Sequence, residues 1–163
     1  MKKITFFVSS YNVEQYIEKC LESFIKIQNR NKIEVIIIND GSKDNTSSIA
    51  HKYEQLIPDL FSVVDKENGG LGSTFNVAVE NAKGEYIISV DADDWIDSNE
   101  VDNFLDKIVN IYSDVITFGM INYINDNPKE KCIQRCQSLV IPYNSMLGNI
   151  MDIWLGNHKR LVP

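Results

Sequence analysis

Residues 84 to 94 read Gly84-Glu85-Tyr86-Ile87-Ile88-Ser89-Val90-Asp91-Ala92-Asp93-Asp94, an apolar run that stops on three carboxylates within four residues. The β-branched and aromatic content of Glu85 to Val90 predicts a strand that ends at Asp91. Upstream, Lys3 to Val8 is a similar run bounded by Ser9-Ser10, and its lack of polar alternation predicts a central parallel strand buried on both faces. Ile33 to Ile38 repeats the pattern and stops at Asn39-Asp40-Gly41-Ser42, and Leu60 to Val64 is a shorter version.

Helical periodicity fills the intervals. Val13, Tyr16, Ile17, Cys20, Leu21, Phe24 and Ile25 recur at helical spacing, with Asn12 the expected N-cap and Gln15 its capping-box partner. Ile49, Tyr53, Leu56 and Ile57 mark a helix closed by Pro58. Thr74 to Lys83 predicts a third, with Gly84 at the C′ position. Val101, Phe104, Leu105, Ile108, Val109 and Tyr112 form the stripe of a fourth, which Ser98 is expected to cap. Asp114 to Tyr123 predicts a further strand; beyond a polar loop from Asn125 to Lys131, Leu139 to Ile141 and Met146 to Leu155 carry weaker strand and helix patterns. Strands alternating with helices predict an α/β fold, a mostly parallel sheet with helices on both faces.

Of the 163 residues 44% are hydrophobic and 24% charged, with 8 Gly and 4 Pro, which excludes general disorder and fits one globular unit with a core of its own. The net charge of −7 repels a phosphate backbone, so nucleic acid is not an expected partner. No apolar stretch approaches the ~20 residues of a spanning helix, and Ile4 to Val8 is too short for the apolar core of a signal peptide, so a cytoplasmic location is expected. Cys20, Cys132 and Cys136 are an odd number without a secreted context, so no disulfide framework is expected, and the last two lack a second ligand pair for zinc. His51 and His158 read as a helix residue and a tail residue, not as catalysts.

In an open parallel sheet ligands bind beyond the carboxyl ends of the strands. Ser9-Ser10-Tyr11-Asn12, Asn39-Asp40-Gly41-Ser42 and Asp91-Ala92-Asp93-Asp94 all fall on that edge. Two unit charges ~4 Å apart repel by about 4 kcal/mol at an effective dielectric of 20, so the last cluster calls for a counter-charge. A hard divalent cation, Mg²⁺ or Mn²⁺, fits that need and completes its coordination with water and phosphate oxygens; the other reading is acids that stabilise the start of the following helix. Asp40 reads either as a ribose- or base-bonding acid or as a turn-former, and Asn68-Gly69-Gly70-Leu71-Gly72 could bring backbone N–H groups near a ligand without matching a dinucleotide or P-loop pattern. Trp95 and Tyr11 adjoin the acidic edge and read first as packing residues, with sugar platforms the other reading.

Taken together, Val8-Ser9-Ser10-Tyr11-Asn12, the run Ile36 to Ser42 with Asp44, Asn68-Gly69-Gly70 with Asn76, and Gly84-Glu85-Tyr86-Ile87 leading to Asp91-Ala92-Asp93-Asp94 resemble the donor-binding half of a family 2 glycosyltransferase with the GT-A fold, a Rossmann-like nucleotide-diphospho-sugar transferase architecture. The resemblance covers roughly residues 3 to 125. It implies that Ser9 and Tyr11 line the nucleotide site with Asn68 and Gly70, that Asp40 accepts a hydrogen bond from the base, usually uracil, and that Asp91 lies near ribose and metal. Asp93 would coordinate the Mg²⁺ or Mn²⁺ that bridges the diphosphate, with Asp94 as a supporting acid.

Two departures stand out: Asn39 where the family commonly has Asp, and Thr74-Phe75-Asn76 where it often has Ala-Arg-Asn, which removes a basic donor contact. The resemblance divides the chain into a nucleotide-sugar and metal-binding core over 1–125 and the start of an acceptor-side region over 126–163. Nothing from Asn125 to Pro163 matches the segment that carries the catalytic base, so the base is expected beyond Pro163, in a chain cut short. The implied reaction is metal-dependent, inverting transfer from a nucleotide sugar, a UDP-sugar first, to a glycan or lipid-linked acceptor for surface polysaccharide, with peripheral membrane association through the full-length protein at the inner face. A non-catalytic nucleotide-sugar-binding module on the same fold is the alternative. Nucleotidyl transfer would need a basic Gly-rich loop after strand one, and Ser9-Ser10-Tyr11-Asn12 is not one.

Overall fold

The apolar runs become four parallel strands: β1 (Ile4–Ser10), β2 (Ile33–Asn39), β3 (Phe61–Asp65) and β4 (Tyr86–Asp91), in the order β3-β2-β1-β4. The computed structural model describes residues 1–108, together with the backbone of four short later strands. Every residue of β2 is buried, as a strand inside a parallel sheet requires, and its one charged member, Glu34, has its Oε1 accepting from Thr5 Oγ1 (2.6 Å) and Lys83 N (2.6 Å). Four helices connect or follow the strands: α1 (Ile17–Ile25), α2 (Thr46–Leu56), α3 (Leu71–Asn81) and α4 (Ser98–Lys107).

Alternation along the strands divides the core in two. Ile4, Phe6 and Val8 of β1 with Ile33, Val35 and Ile37 of β2 face α1, α2 and α4 through Phe24, Ala50 and Leu105. Phe7, Ile36, Ile38 and Ile87 face α3 through Ala78. Helices therefore lie on both faces, as expected. Sheet growth runs from β1 through β2 to β3 and then returns to place β4 on the other side of β1. Right-handed crossovers put helices on opposite faces when the direction reverses, so α3 sits alone on its face and the reversal falls between β1 and β4. Ser9 pairs with Asp91 across that junction.

Several helix ends differ from expectation. Asn12 does not cap α1: it has φ 52°, its Oδ1 accepts from Lys43 N at 2.8 Å, and a turn through Val13 to Tyr16 precedes the helix. Asp97, not Ser98, caps α4 by accepting from Asn99 N and Glu100 N. α3 starts at Leu71, three residues early, and ends at Asn81, so Gly84 is not its C′ residue. Gly84 instead lies against β1, where a Cβ would stand 2.4 Å from Thr5 N. Within the expected strand from Asp114 to Tyr123, the described strands are β5 (Phe118–Met120) and the first residue of β6 (Tyr123–Ile124). β5 pairs antiparallel with β8 (Gln134–Cys136), and β6 pairs with β7 (Asn127–Pro128). Val109, Tyr112, the strand over 139–141 and the helix over 146–155 lie outside the described residues.

Candidate functional site

The carboxyl ends of β1 and β2 continue into two loops laced together. Asn12 N donates to Ser42 Oγ (3.0 Å), Val13 N to Thr46 Oγ1 (2.9 Å) and Glu14 N to Asp44 Oδ2 (3.1 Å). Asp44 also accepts from Thr46 N, and although desolvation opposes it these bonds hold its carboxyl below the ordinary range. Tyr11, at the tip of this rim, is 48% exposed and so is not a core residue.

Asp40 is the organising group beside the rim. It is 4% exposed, and its carboxylate accepts from Gly69 N (2.9 Å), Gly70 N (2.8 Å) and Lys66 Nζ. Asn68 Nδ2 donates to its backbone carbonyl at 3.0 Å. Burial alone would raise the Asp40 pKa, but the Lys66 and glycine donors outweigh it and hold the carboxyl below its usual range. Gly41 has φ 74° and a Cβ there would stand 2.8 Å from Asn68 N, so only glycine lets the two loops meet. Asp40, Asn68 and Gly70, three of the residues that the resemblance implies for donor binding, are thus brought into direct contact. Ser73 Oγ, against Gly69, is buried and finds no hydrogen-bond partner among the described residues.

At the junction of β1 and β4, Ser9 Oγ lies 3.3 Å from Thr74 Oγ1, which donates to Leu71 O at 2.7 Å and so ties the start of α3 to β1. Phe75, at the second departure from the family pattern, packs edge-on against Phe7 with ring centres 4.8 Å apart. Asp91, Asp93 and Asp94 form an exposed turn closed by Asp94 N donating to Asp91 O at 2.9 Å. Partial desolvation first, then repulsion from Asp93, raises the pKa of Asp91 and of Asp94 above the ordinary carboxylate value. Among the described residues no three His, Cys, Asp or Glu groups are gathered into a metal cage. The donor set is nonetheless hard carboxylate oxygen from one loop, which suits a Mg²⁺ or Mn²⁺ that takes one or two protein ligands and fills the rest with water and phosphate.

α1 grips this turn from below. Cys20 Sγ lies 3.9 Å from Asp91 O, and Ser23 Oγ accepts from Ile96 N at 3.2 Å while donating to Cys20 O at 2.6 Å. Burial, then the negative charge of Asp94, Asp93 and Asp91, pushes the Cys20 thiol up to about 12. Trp95 is 37% exposed and carries Lys19 Nζ 3.5 Å from its ring centre, so it is a surface aromatic paired with a cation.

Sequence reasoning missed Lys66, His51 and Asp65 here, and Cys20 beneath the acidic turn. Lys66 sits between a strand and a glycine loop with nothing in its spacing to mark it. His51, read as a bystander, bonds Glu54 Oε2 through Nδ1 (2.9 Å) and Asp65 Oδ2 through Nε2 (2.6 Å). Asp65 also accepts from Asn39 Nδ2 (2.7 Å) and Ser47 Oγ (2.9 Å), and Asn39 Oδ1 accepts from Ser42 N (3.1 Å). The Asn that replaces the family's Asp therefore links His51–Asp65 to the rim, because an amide can donate to Asp65 where a second carboxylate would repel it.

A parallel sheet that reverses direction, with helices on both faces, defines a doubly wound α/β domain, and solved structures place its fold among GT-A glycosyltransferases. The Staphylococcus aureus protein TarS, in a crystal structure with UDP-GlcNAc, superposes with a TM-score of 0.68 and 32% identity over 78% of this chain and 37% of that one. The sequence model described as Glycosyl transferase family 2 matches residues 5–153, and the chain belongs to that family. Glycosyltransferase GlyA of Streptococcus pneumoniae is 36% identical over 128 residues, which is 78% of this chain and 18% of that protein. Putative glycosyltransferase EpsH of Bacillus subtilis is 41% identical over 102 residues, 63% of this chain and 29% of EpsH. The chain thus spans less than a third of either relative.

Proposed function

We propose that this chain is the donor-binding domain of an inverting, metal-dependent glycosyltransferase that takes a sugar from a UDP-sugar and delivers it to a glycan or lipid-linked acceptor in surface polysaccharide synthesis. The observation that carries this reading is the Asp91–Asp94 turn at the sheet reversal, in register with Ser9. Support comes from relatives named as glycosyltransferases and from the TarS complex with UDP-GlcNAc. In this reading the core spans 1–125, and 126–163 begins the acceptor side.

The residues divide the work. Asp40 orders the loop from Lys66 to Gly70 and accepts from the base; Tyr11, Asn68 and Gly70 line the base and ribose. Ser9 and Asp91 hold the ribose side of the junction, and Asp93, with Asp91, supplies carboxylate oxygen to Mg²⁺ or Mn²⁺. That cation, when bound, offsets the charge of the diphosphate and stabilises it as a leaving group. Without it an acidic edge repels the diphosphate, so affinity for UDP depends on metal.

Calorimetric titration of UDP tests this. Binding is expected with Mn²⁺ present, and a loss of about tenfold or more with chelator or in Asp93→Ala. Equal affinity under all three conditions overturns the proposal.

A further inference from the structure

Among the described residues, the partners of Asp40 and of Lys66 leave each with one unused hydrogen-bond position. A carboxylate has about four acceptor positions and an ammonium three donors. Asp40 uses three of its positions, on Gly69 N, Gly70 N and Lys66 Nζ. Lys66 uses two of its donors, on Asp40 and on Glu67 O at 2.5 Å. Both groups are fixed from behind: Lys66 N donates to Asn39 O at 3.0 Å, and Asp40 N to Ser10 O at 2.9 Å. The Lys66 side chain keeps 18% of its surface exposed beside an Asp40 side chain at 5%, so the pair is open to solvent over only a small area.

A fixed acceptor next to a fixed donor has a definite complement. Uracil presents a ring N–H beside a carbonyl oxygen on its pairing edge. Cytosine and adenine present a ring nitrogen acceptor beside an amino group, the reverse order, which would set acceptor against acceptor and donor against donor. Each mismatch leaves a buried polar group unsatisfied, which is the stronger source of discrimination in recognition sites.

We propose that Lys66 is a specificity-determining residue for the donor base: with Asp40 it reads a ring N–H beside a carbonyl and rejects cytosine and adenine. This rests on the donor-site reading above. The guanine edge has the same order as uracil, so the inference concerns what the pair excludes.

The test is a cycle of calorimetric titrations in Mn²⁺ with UDP, CDP and 4-thio-UDP, in which sulfur, a weak acceptor, replaces the carbonyl oxygen. Wild type is expected to prefer UDP to CDP by about tenfold or more. Lys66→Met should weaken UDP by about tenfold, weaken 4-thio-UDP by less than about threefold, and narrow the ratio of UDP to CDP. Lys66→Arg, which keeps a donor, should retain the preference for UDP. A Lys66→Met loss equal for UDP and 4-thio-UDP assigns Lys66 a structural role and overturns the inference while leaving the donor site intact. A wild type that binds UDP and CDP equally also overturns it. A wild type that binds no UDP in Mn²⁺ overturns the proposed function itself.

Discussion

Repulsion among ionised carboxylates costs stability in a folded chain, and Asp94 carries such a cost. Its pKa is raised by desolvation, Asp93 and Asp91, so the folded state disfavours the ionised form at neutral pH and the cost is relieved as pH falls through the raised pKa. Asp94→Asn should therefore raise the melting temperature at about pH 7 in chelator, with a gain that shrinks by about pH 4. An unchanged melting temperature at neutral pH would contradict the assigned repulsion. His51 has the opposite sign. Its hydrogen bonds to Asp65 and then Glu54 raise its pKa above 6.5, so its contribution is fully present below 6.5 and is lost as pH rises through the folded value. The pair is 40% and 46% exposed, so solvent screening limits the effect to roughly 0.5–1 kcal/mol. Urea midpoints of wild type and His51→Gln should differ most near pH 6 and converge by about pH 9.

At the scale of elements, the approach of β4 to β1 sets the sheet reversal, and Gly84 permits it. A Cβ at Gly84 would stand 2.4 Å from Thr5 N and 2.6 Å from Ile4 C, both backbone atoms that cannot turn aside. Gly84→Ala should cost about 3 kcal/mol by urea denaturation, since β4 must shift away from β1. Ser23→Ala should cost about 1 kcal/mol and weaken Mn²⁺-dependent UDP binding, because the hydroxyl under the acidic turn is lost. The strands and helices were legible because burial on both faces leaves continuous apolar runs and the helices keep their 3.6-residue period. The caps were not. Asn12 and Ser98 have the right side chains, but Asn12 is drawn into the rim by Lys43 N, and Asp97 reaches the α4 amides first. The acidic turn was legible from local sequence, whereas only the resemblance grouped Asp40 with Asn68 and Gly70, and their contact over 28 and 30 positions was not stated by it. Lys66, His51 and Cys20 were not, because their roles arise from contacts with residues 14 to 71 positions away.

Across the whole molecule, the order β3-β2-β1-β4 brings Ser9, Asp40 and Asp91 from separate parts of the chain to one edge. Seven acids, Glu14, Asp40, Asp44, Glu67, Asp93, Asp94 and Asp97, lie in the loops of that edge, with Asp65 and Asp91 at its strand ends, against Lys43 and Lys66. Metal and nucleotide should therefore be linked. Mn²⁺ with UDP should raise the melting temperature more than the separate shifts combined, as ligands that favour the same folded state do when each improves the other's binding. Among the described residues no helix is long and apolar enough to cross a membrane. The most direct measurement is paramagnetic broadening of backbone amide signals by Mn²⁺ in the presence of UDP. Broadening should centre on Asp91 to Asp94 and reach Ser9, while Ile4, Ile33 and Phe61 at the opposite edge keep their line widths. Broadening centred on the opposite edge, or spread evenly along the chain, would contradict a metal and nucleotide site at the reversal of the sheet.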